Sequence, residues 1–464
     1  MRPRPPCGRG ISRRSFVVAG AGLAGLTLAD LLRADGTQPS KKSAPKSILN
    51  IHLDGGPPQH DTIDPKPDAP EEIRGDLKPI RSALPGVQLC ELMPRVAALA
   101  DKFVFLRSLV GSTGLHDAFQ TQSGWGPKSI ESVGGRPALG CVAAKLFGSP
   151  ADPVPPFVDI MQGRPLVRNS ARPGYLGPAF APFRPDISDK FPRELEPGMK
   201  VELQHAAARP SLQLTLVDGL TPQRLADRQT LLDRFDDVRR EVDQSGTMDA
   251  LDQFGQQAVS ILTSGRLAKA LSWDDEPASV LKAYSPPVSK LAKFETGEDE
   301  NSAKKLLLAR RLLEAGVRCV SVSFSDFDTH TDNFPRMKKL VPIVDHALAA
   351  LVQDLSDRGM LNDVAIVVWG EFGRTPKVAK DGGRDHWPEV GPALFAGGGW
   401  KAGQVIGATD RTGGRVADRP VSYEDVFATL YQALGVDARK THLKDPSGRP
   451  QSLLDTGTPI KELL

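Results

Sequence analysis

The chain has 464 residues, 40% hydrophobic and 25% charged, an ordinary globular composition that suffices for one large α/β domain or two smaller ones. Its formal net charge of +3 is small and partly belongs to a basic leader, so nothing suggests a nucleic-acid footprint. Four cysteines, Cys7, Cys90, Cys141 and Cys319, lie far apart without CxxC spacing, so the sequence does not require a disulfide, although an oxidising compartment would permit one.

The first apolar stretch, "SRRSFVVAGAGLAGLTLADLL", admits two readings. Gly20, Gly22 and Gly25 spell GxGxxG, but the polar run "ADGTQPSKKSAPKS" that follows has no second strand ending in an acid for a nucleotide ribose. The export reading fits better. Arg2, Arg4, Arg9, Arg13 and Arg14 precede an uncharged run at 16–29, shorter than the roughly 18 residues that span a bilayer. "SRRSF" resembles a twin-arginine signal, which addresses folded proteins to the translocation machinery and on to a periplasmic or extracellular location. The expected layout is a signal segment at 1–35, a linker at 36–46 and one α/β domain at 47–464, with cleavage between residues 34 and 46.

Four apolar runs then read as buried strands. "SILNIHL" at 47–53 stops at "DGGPPQHD", and "KFVFLRSLV" at 102–110 leads into "GSTGLHDAFQTQSGW". The amphipathic "AKKLLLARRLLEAG" predicts a helix ending at Gly316, followed by the strand "VRCVSVSF" and the loop "SDFDTHTDN". The same grammar recurs as a helix through "IVDHALAALVQDLSDRG", the strand "VAIVVW" and the loops "GEFGRTP" and "GRDHWP". Helix, short turn and continuous apolar strand predict a doubly wound, mostly parallel sheet with helices on both faces. Residues 150–302 lack this grammar; "TPQRLADRQTLLDRFDDVRREV" and "MDALDQFGQQAVSILTSGRLAKAL" read as helices of an insertion.

Ligands of such sheets bind outside the carboxyl ends of the strands. There the sequence places Asp54, then Thr113, His116 and Asp117, then Asp326, Asp328 and His330, then Glu371, and finally Asp385 and His386. Carboxylates and imidazoles without thiolates suit one or two divalent ions such as Zn²⁺ or Mn²⁺, which polarise a phosphoryl or sulfuryl oxygen. Arg107, Arg374 and Arg384 lie in the same loops and are candidates to neutralise an oxyanion. The plainer account of each acid is a helix cap. His52, within a strand, and His346, within a helix, read as core residues, and His60 as intermediate.

At these residues the chain resembles the bacterial proteins grouped as domain of unknown function 1501. The stretches that carry the resemblance are "GGPPQHDTIDPKP", "DTHTDNF", "GEFGRTP", "GRDHWP", "LLLARRLLEAGVRCVSV" and "VSYEDVFATLYQALGV". It implies twin-arginine export and a fold similar to alkaline phosphatases and sulfatases. It further implies a metal-dependent hydrolase acting on a phosphate or sulfate ester, or on another small anionic or polysaccharide-type substrate. The implied metal ligands are Asp54, Asp328, His330, Glu371, Asp385 and His386, with Arg374 or Arg384 orienting the anion. Two departures stand out: Phe372 replaces the histidine of an Asp-His pair, and no C-x-P-S-R or S-x-P-S-R nucleophile motif is present. Thr113, beside His116, is the candidate nucleophile, with activated water the other choice. The rival is a non-catalytic secreted binding or assembly protein with a degenerate metal site. A third reading, a nicotinamide or flavin enzyme using Gly20 to Gly25, predicts a coloured cytoplasmic protein.

Overall fold

The computed structural model describes residues 47–130, 134–168, 170–192, 257–258, 260–261, 264–287 and 296–464. The chain divides into two units, Met1–Ala44 and Pro45–Leu464, and the elements below belong to the second. The expected signal segment, the linker, the helical stretch at 221–242 and half of that at 248–271 lie outside the described residues.

Eight strands form one sheet: β1 (Ser47–Leu53), β2 (Phe103–Val110), β3 (Phe157–Ile160), β4 (Cys319–Phe324), β5 (Val364–Trp369), β6 (Gly391–Gly397), β7 (Gln404–Ile406) and β8 (Val421–Ser422). Their order is β7-β2-β6-β5-β1-β4-β3, with β8 beside β2. Parallel neighbours flank β1, so that Ile51 sits between Val322 and Val368. With both faces also covered, all seven residues of β1 are buried, which is why it reads as an unbroken apolar run.

Five helices frame the site: α1 (Phe119–Ser123), α2 (Leu139–Phe147), α3 (Lys304–Glu314), α4 (Asn333–Asp357) and α5 (Tyr423–Ala433). Side chains alternate along a strand, so β1 feeds two cores. Leu49, Ile51 and Leu53 join Leu308 of α3 and Leu348 of α4 on one face. Ile48 joins Val142 of α2 and Phe427 of α5 on the other. Each such fully buried aliphatic side chain contributes about 1.5–3 kcal/mol. The doubly wound, mostly parallel sheet is as the sequence implies.

Three features differ from expectation. β6 is an additional strand, antiparallel to both β5 and β2. Its glycines and Pro392 imitate a loop, but the register shifts between Gly391 and Ala393, so the proline falls in a bulge where its missing N–H breaks no ladder. α4 begins at Asn333 and runs through Pro342. Buried Phe334, Met337, Leu340 and Val341 pack that first stretch on the core, and packing overrides the local penalty of the proline. The less regular part at 150–302 also supplies a strand of the sheet, β3. Cys90, Cys141 and Cys319 are buried free thiols.

Candidate metal centre

Because β6 is antiparallel to both its neighbours, β2 runs in the same direction as β5, β1 and β4. The carboxyl ends of these four strands therefore open on one edge, and the loops that follow them meet there. Backbone packing sets their spacing. Gly55 has φ +109°, and a Cβ there would lie 2.4 Å from Asp328 N, so only glycine lets the loop after β1 touch the loop after β4. A Cβ on Gly383 would lie 1.7 Å from the His330 carbonyl oxygen, so "GRDHWP" lies directly on the His330 backbone.

The loops assemble two donor clusters. The first is buried and consists of His52, Asp54 and Glu371. Thr121 Oγ1 donates to Ala118 O at 2.9 Å and so accepts from His52 Nδ1–H at 3.0 Å. That assignment leaves the Nε2 lone pair 3.5 Å from Glu371 Oε2 and 4.0 Å from Asp54 Oδ1. Burial lowers the His52 pKa more than the Glu371 charge raises it, which keeps the ring neutral. His52 Nε2 and Glu371 Oε2 are both buried without a hydrogen-bond partner. Two such acceptors facing each other cost about 1–3 kcal/mol each unless a cation lies between them.

The second cluster, His116, Asp328, His330 and His386, is more open. His330 Nδ1 donates to Asp385 Oδ1 at 2.7 Å, and His386 Nδ1 donates to Gly114 O at 2.9 Å. Both rings thus turn Nε2 inward. The two Nε2 atoms stand 3.1 Å apart, at 3.1 and 3.4 Å from Asp328 Oδ1. An outer acceptor that fixes the tautomer of a histidine is how metal-ligating imidazoles are usually held. His116 joins the clusters, with Nδ1 3.1 Å from Glu371 Oε1 and Nε2 2.9 Å from Asp328 Oδ2. The second approach lacks hydrogen-bond alignment and is a charge contact. Burial pulls the His116 pKa down, but the two carboxylates reverse this and raise it. Burial raises the Asp328 carboxyl, yet His116, His386 and Arg374 hold it well below the ordinary carboxylate range.

Five of the six expected ligands, Asp54, Asp328, His330, Glu371 and His386, therefore enter the clusters. Asp385 does not; it stands one bond out, orienting His330. His52 is buried in the core, as read, and is also a member of the first cluster, while His116 links the two clusters through Glu371 and Asp328. A signal for His52 was present in the sequence: Asn50, His52 and Asp54 alternate as polar residues on one side of an apolar strand. Phe372, where a histidine was expected, stacks on His386 with ring centroids 4.3 Å apart. Asp117 caps the turn before α1 through Phe119 N–H, and Asp326 accepts from Gly297 N–H.

The anion-orienting roles expected of Arg374 and Arg384 do not fit their geometry. Arg374 is fully buried, and four of its N–H groups go to Gly55 O, Gly56 O, Arg384 O and Asp328 Oδ1. Arg384 is likewise spent on Asp61, Ile73 O, Thr375 O and Pro376 O. Arg107 binds Ile63 O and Gln88 O. All three are braces. A second guanidinium beside Asp328 is that of Arg164, just past β3, with Nη2 3.7 Å from Asp328 Oδ2. Thr113 is exposed, and among the described residues no hydrogen bond or ion pair ties it to either cluster. Ser112 Oγ donates to Glu371 O at 2.6 Å.

Several solved structures are similar to the chain. A sulfatase from Pseudoalteromonas sp., PsFucS1, aligns with 92% of this chain and 72% of its own at 14% identity and a TM-score of 0.37. A phosphonate monoester hydrolase of Agrobacterium radiobacter aligns over 90% and 77% at 15% identity and a TM-score of 0.34. The lipoteichoic acid synthase LtaP from Listeria monocytogenes aligns over 89% and 78% at 8% identity and a TM-score of 0.33. No curated protein matches the sequence. Three of the stretches that carried the family resemblance, those with Asp328 and His330, Glu371, and His386, contribute to the two clusters. With the family described as "Protein of unknown function (DUF1501)" matching residues 45–464, the chain belongs to that family.

Proposed function

We propose that the protein is an exported, metal-dependent hydrolase of a phosphate or sulfate ester, or of a related anionic substrate. One observation carries the metal reading: four imidazoles and three carboxylates converge in two clusters, with inward lone pairs facing one another. The donor set of nitrogens and carboxylate oxygens suits Zn²⁺ or Mn²⁺. His52, Asp54 and Glu371 would hold one ion; Asp328, His330, His386 and His116 would hold a second. A divalent ion there supplies Lewis acidity toward an ester oxygen and activates water.

The protein's own residues do the rest. Asp385 and the Gly114 carbonyl keep His330 and His386 in the ligating tautomer. Arg374 joins His116 and His386 in keeping Asp328 ionised and ties its loop to that of β1. Arg164, at the open cluster, orients the anion in place of Arg374 and Arg384. With Ser112 bonded to the backbone and Thr113 outside the clusters, water is the nucleophile of choice. That same lack of a seated hydroxyl favours one rival, a secreted binding protein that uses the centre to grip an anion without cleaving it.

Protein purified from the exported fraction without added metal should carry one or two divalent ions per chain, and a His330→Ala, His386→Ala variant should lose at least one. Phosphate and sulfate ester assays then separate enzyme from binder. A folded wild type that takes up neither Zn²⁺ nor Mn²⁺ would sink the hydrolase reading and the metal-centred binder, and leave the non-catalytic binding or assembly protein with a degenerate site.

A further inference from the structure

We infer that residues 296–299, the end of the insertion, form a strap that positions the loop carrying Asp328 and His330, with Glu298 as its positioning residue; this builds on the metal reading above. β4 ends at Phe324, and the next residues are held from two sides. On one side Asp54 N–H donates to Phe324 O at 2.7 Å, and Phe327 N–H donates to Asp54 O at 3.1 Å. On the other side stands the strap. Glu298 Oε1 accepts from Ser325 N–H at 2.9 Å. Its Oε2 pairs with Lys305 Nζ of α3 at 2.6 Å, both side chains only 1% exposed, and Lys305 also reaches Ser323 O at 3.3 Å. Gly297 N–H binds the Asp326 carboxylate, and Asp299 opens a capping box with Ser302 that leads into α3.

Two features mark this as more than packing. Asp326 has φ +72°, left-handed backbone that is uncommon for any residue but glycine and persists where neighbours over-determine it. The Glu298–Lys305 pair lies deep among apolar neighbours, where a buried ion pair adds little net stability over an apolar replacement. What the pair does fix is a backbone N–H three residues before Asp328. The insertion thereby reaches the metal centre through one carboxylate.

The test is a Co²⁺ titration of the full-length protein, followed by visible absorption, with thermal unfolding to check the fold. Glu298→Met with Lys305→Met removes both charges at similar volume and leaves Ser325 N–H without its acceptor. Co²⁺ affinity should fall about tenfold or more, with an altered spectrum. Glu298→Gln with Lys305→Met restores an acceptor oxygen for Ser325 and should restore affinity and spectrum. Should the double-Met variant unfold, Asp326→Gly removes the Gly297 anchor of the strap without touching the ion pair and should weaken binding, whereas Asp326→Asn, which keeps the acceptor, should not. Wild-type affinity and spectrum in a folded double-Met or Asp326→Gly variant overturn the strap. A wild type that binds no Co²⁺ overturns the metal reading itself and the strap with it, so the two failures are distinct.

Discussion

Thr121 decides which nitrogen of His52 faces the buried cluster. Its hydroxyl spends its proton on Ala118 O, so it can only accept from Nδ1, and Nε2 is left toward Glu371 and Asp54. His52→Gln should lower metal content by about one ion per chain, read by elemental analysis, while ions on the open cluster persist. His60 tests the opposite case, a buried histidine with a structural task. Its Nε2–H donates to Thr412 O at 2.7 Å, and burial, then the Arg384 charge, lowers its pKa to about 4. Above about pH 6.5 the ring is neutral folded and unfolded, so it adds no pH dependence. As pH falls from about 6.5 to about 4 the unfolded chain takes the proton first, and stability drops by about 3 kcal/mol from this residue. His60→Gln keeps a donor for Thr412 and should flatten that part of a urea-unfolding stability curve measured against pH.

At the scale of elements, the centre depends on loops touching backbone to backbone. The turn after β1 places Gly55 against Asp328, and Gly55 N–H donates to Glu371 Oε1 at 2.9 Å. Gly55→Ala forces both a left-handed alanine and a clash with Asp328 N. It should weaken Zn²⁺ binding at least tenfold, measured by competition with a chromogenic chelator, more than it lowers the melting temperature. The helix–strand units were legible because α3 and α4 each present an apolar face and end in a glycine turn, at Gly316 and Gly359. α5 opens on the Ser422–Asp425 capping box, each side chain accepting from the other's backbone N–H. β6 was not legible, because Gly391, Pro392 and Gly397 are turn residues by local preference, and only its place between β5 and β2 makes them strand.

Across the whole molecule, the centre draws on five separate loops, so an ion bound there ties together segments more than 300 residues apart in the chain. Stripping metal with a chelator should lower the melting temperature, and returning Zn²⁺ or Mn²⁺ should restore it. An ion at a hundred times its Kd contributes about 2.7 kcal/mol to the folded state. If calorimetry shows no difference between stripped and reloaded protein, the clusters hold no ion in the folded chain. By itself the sequence determined the doubly wound sheet, its four principal strands and the edge on which the acids and histidines gather, because periodicity and burial are local properties of each segment. It also singled out five of the seven residues that gather in the clusters, since residue type and position after a strand are visible without contacts. That Arg374 and Arg384 are taken up by backbone carbonyls was decided only in three dimensions. Nothing in their sequence setting shows the carbonyl oxygens that surround them. The tautomers of His52, His330 and His386, too, follow from Thr121, Asp385 and Gly114, acceptors that reach them only through the tertiary fold.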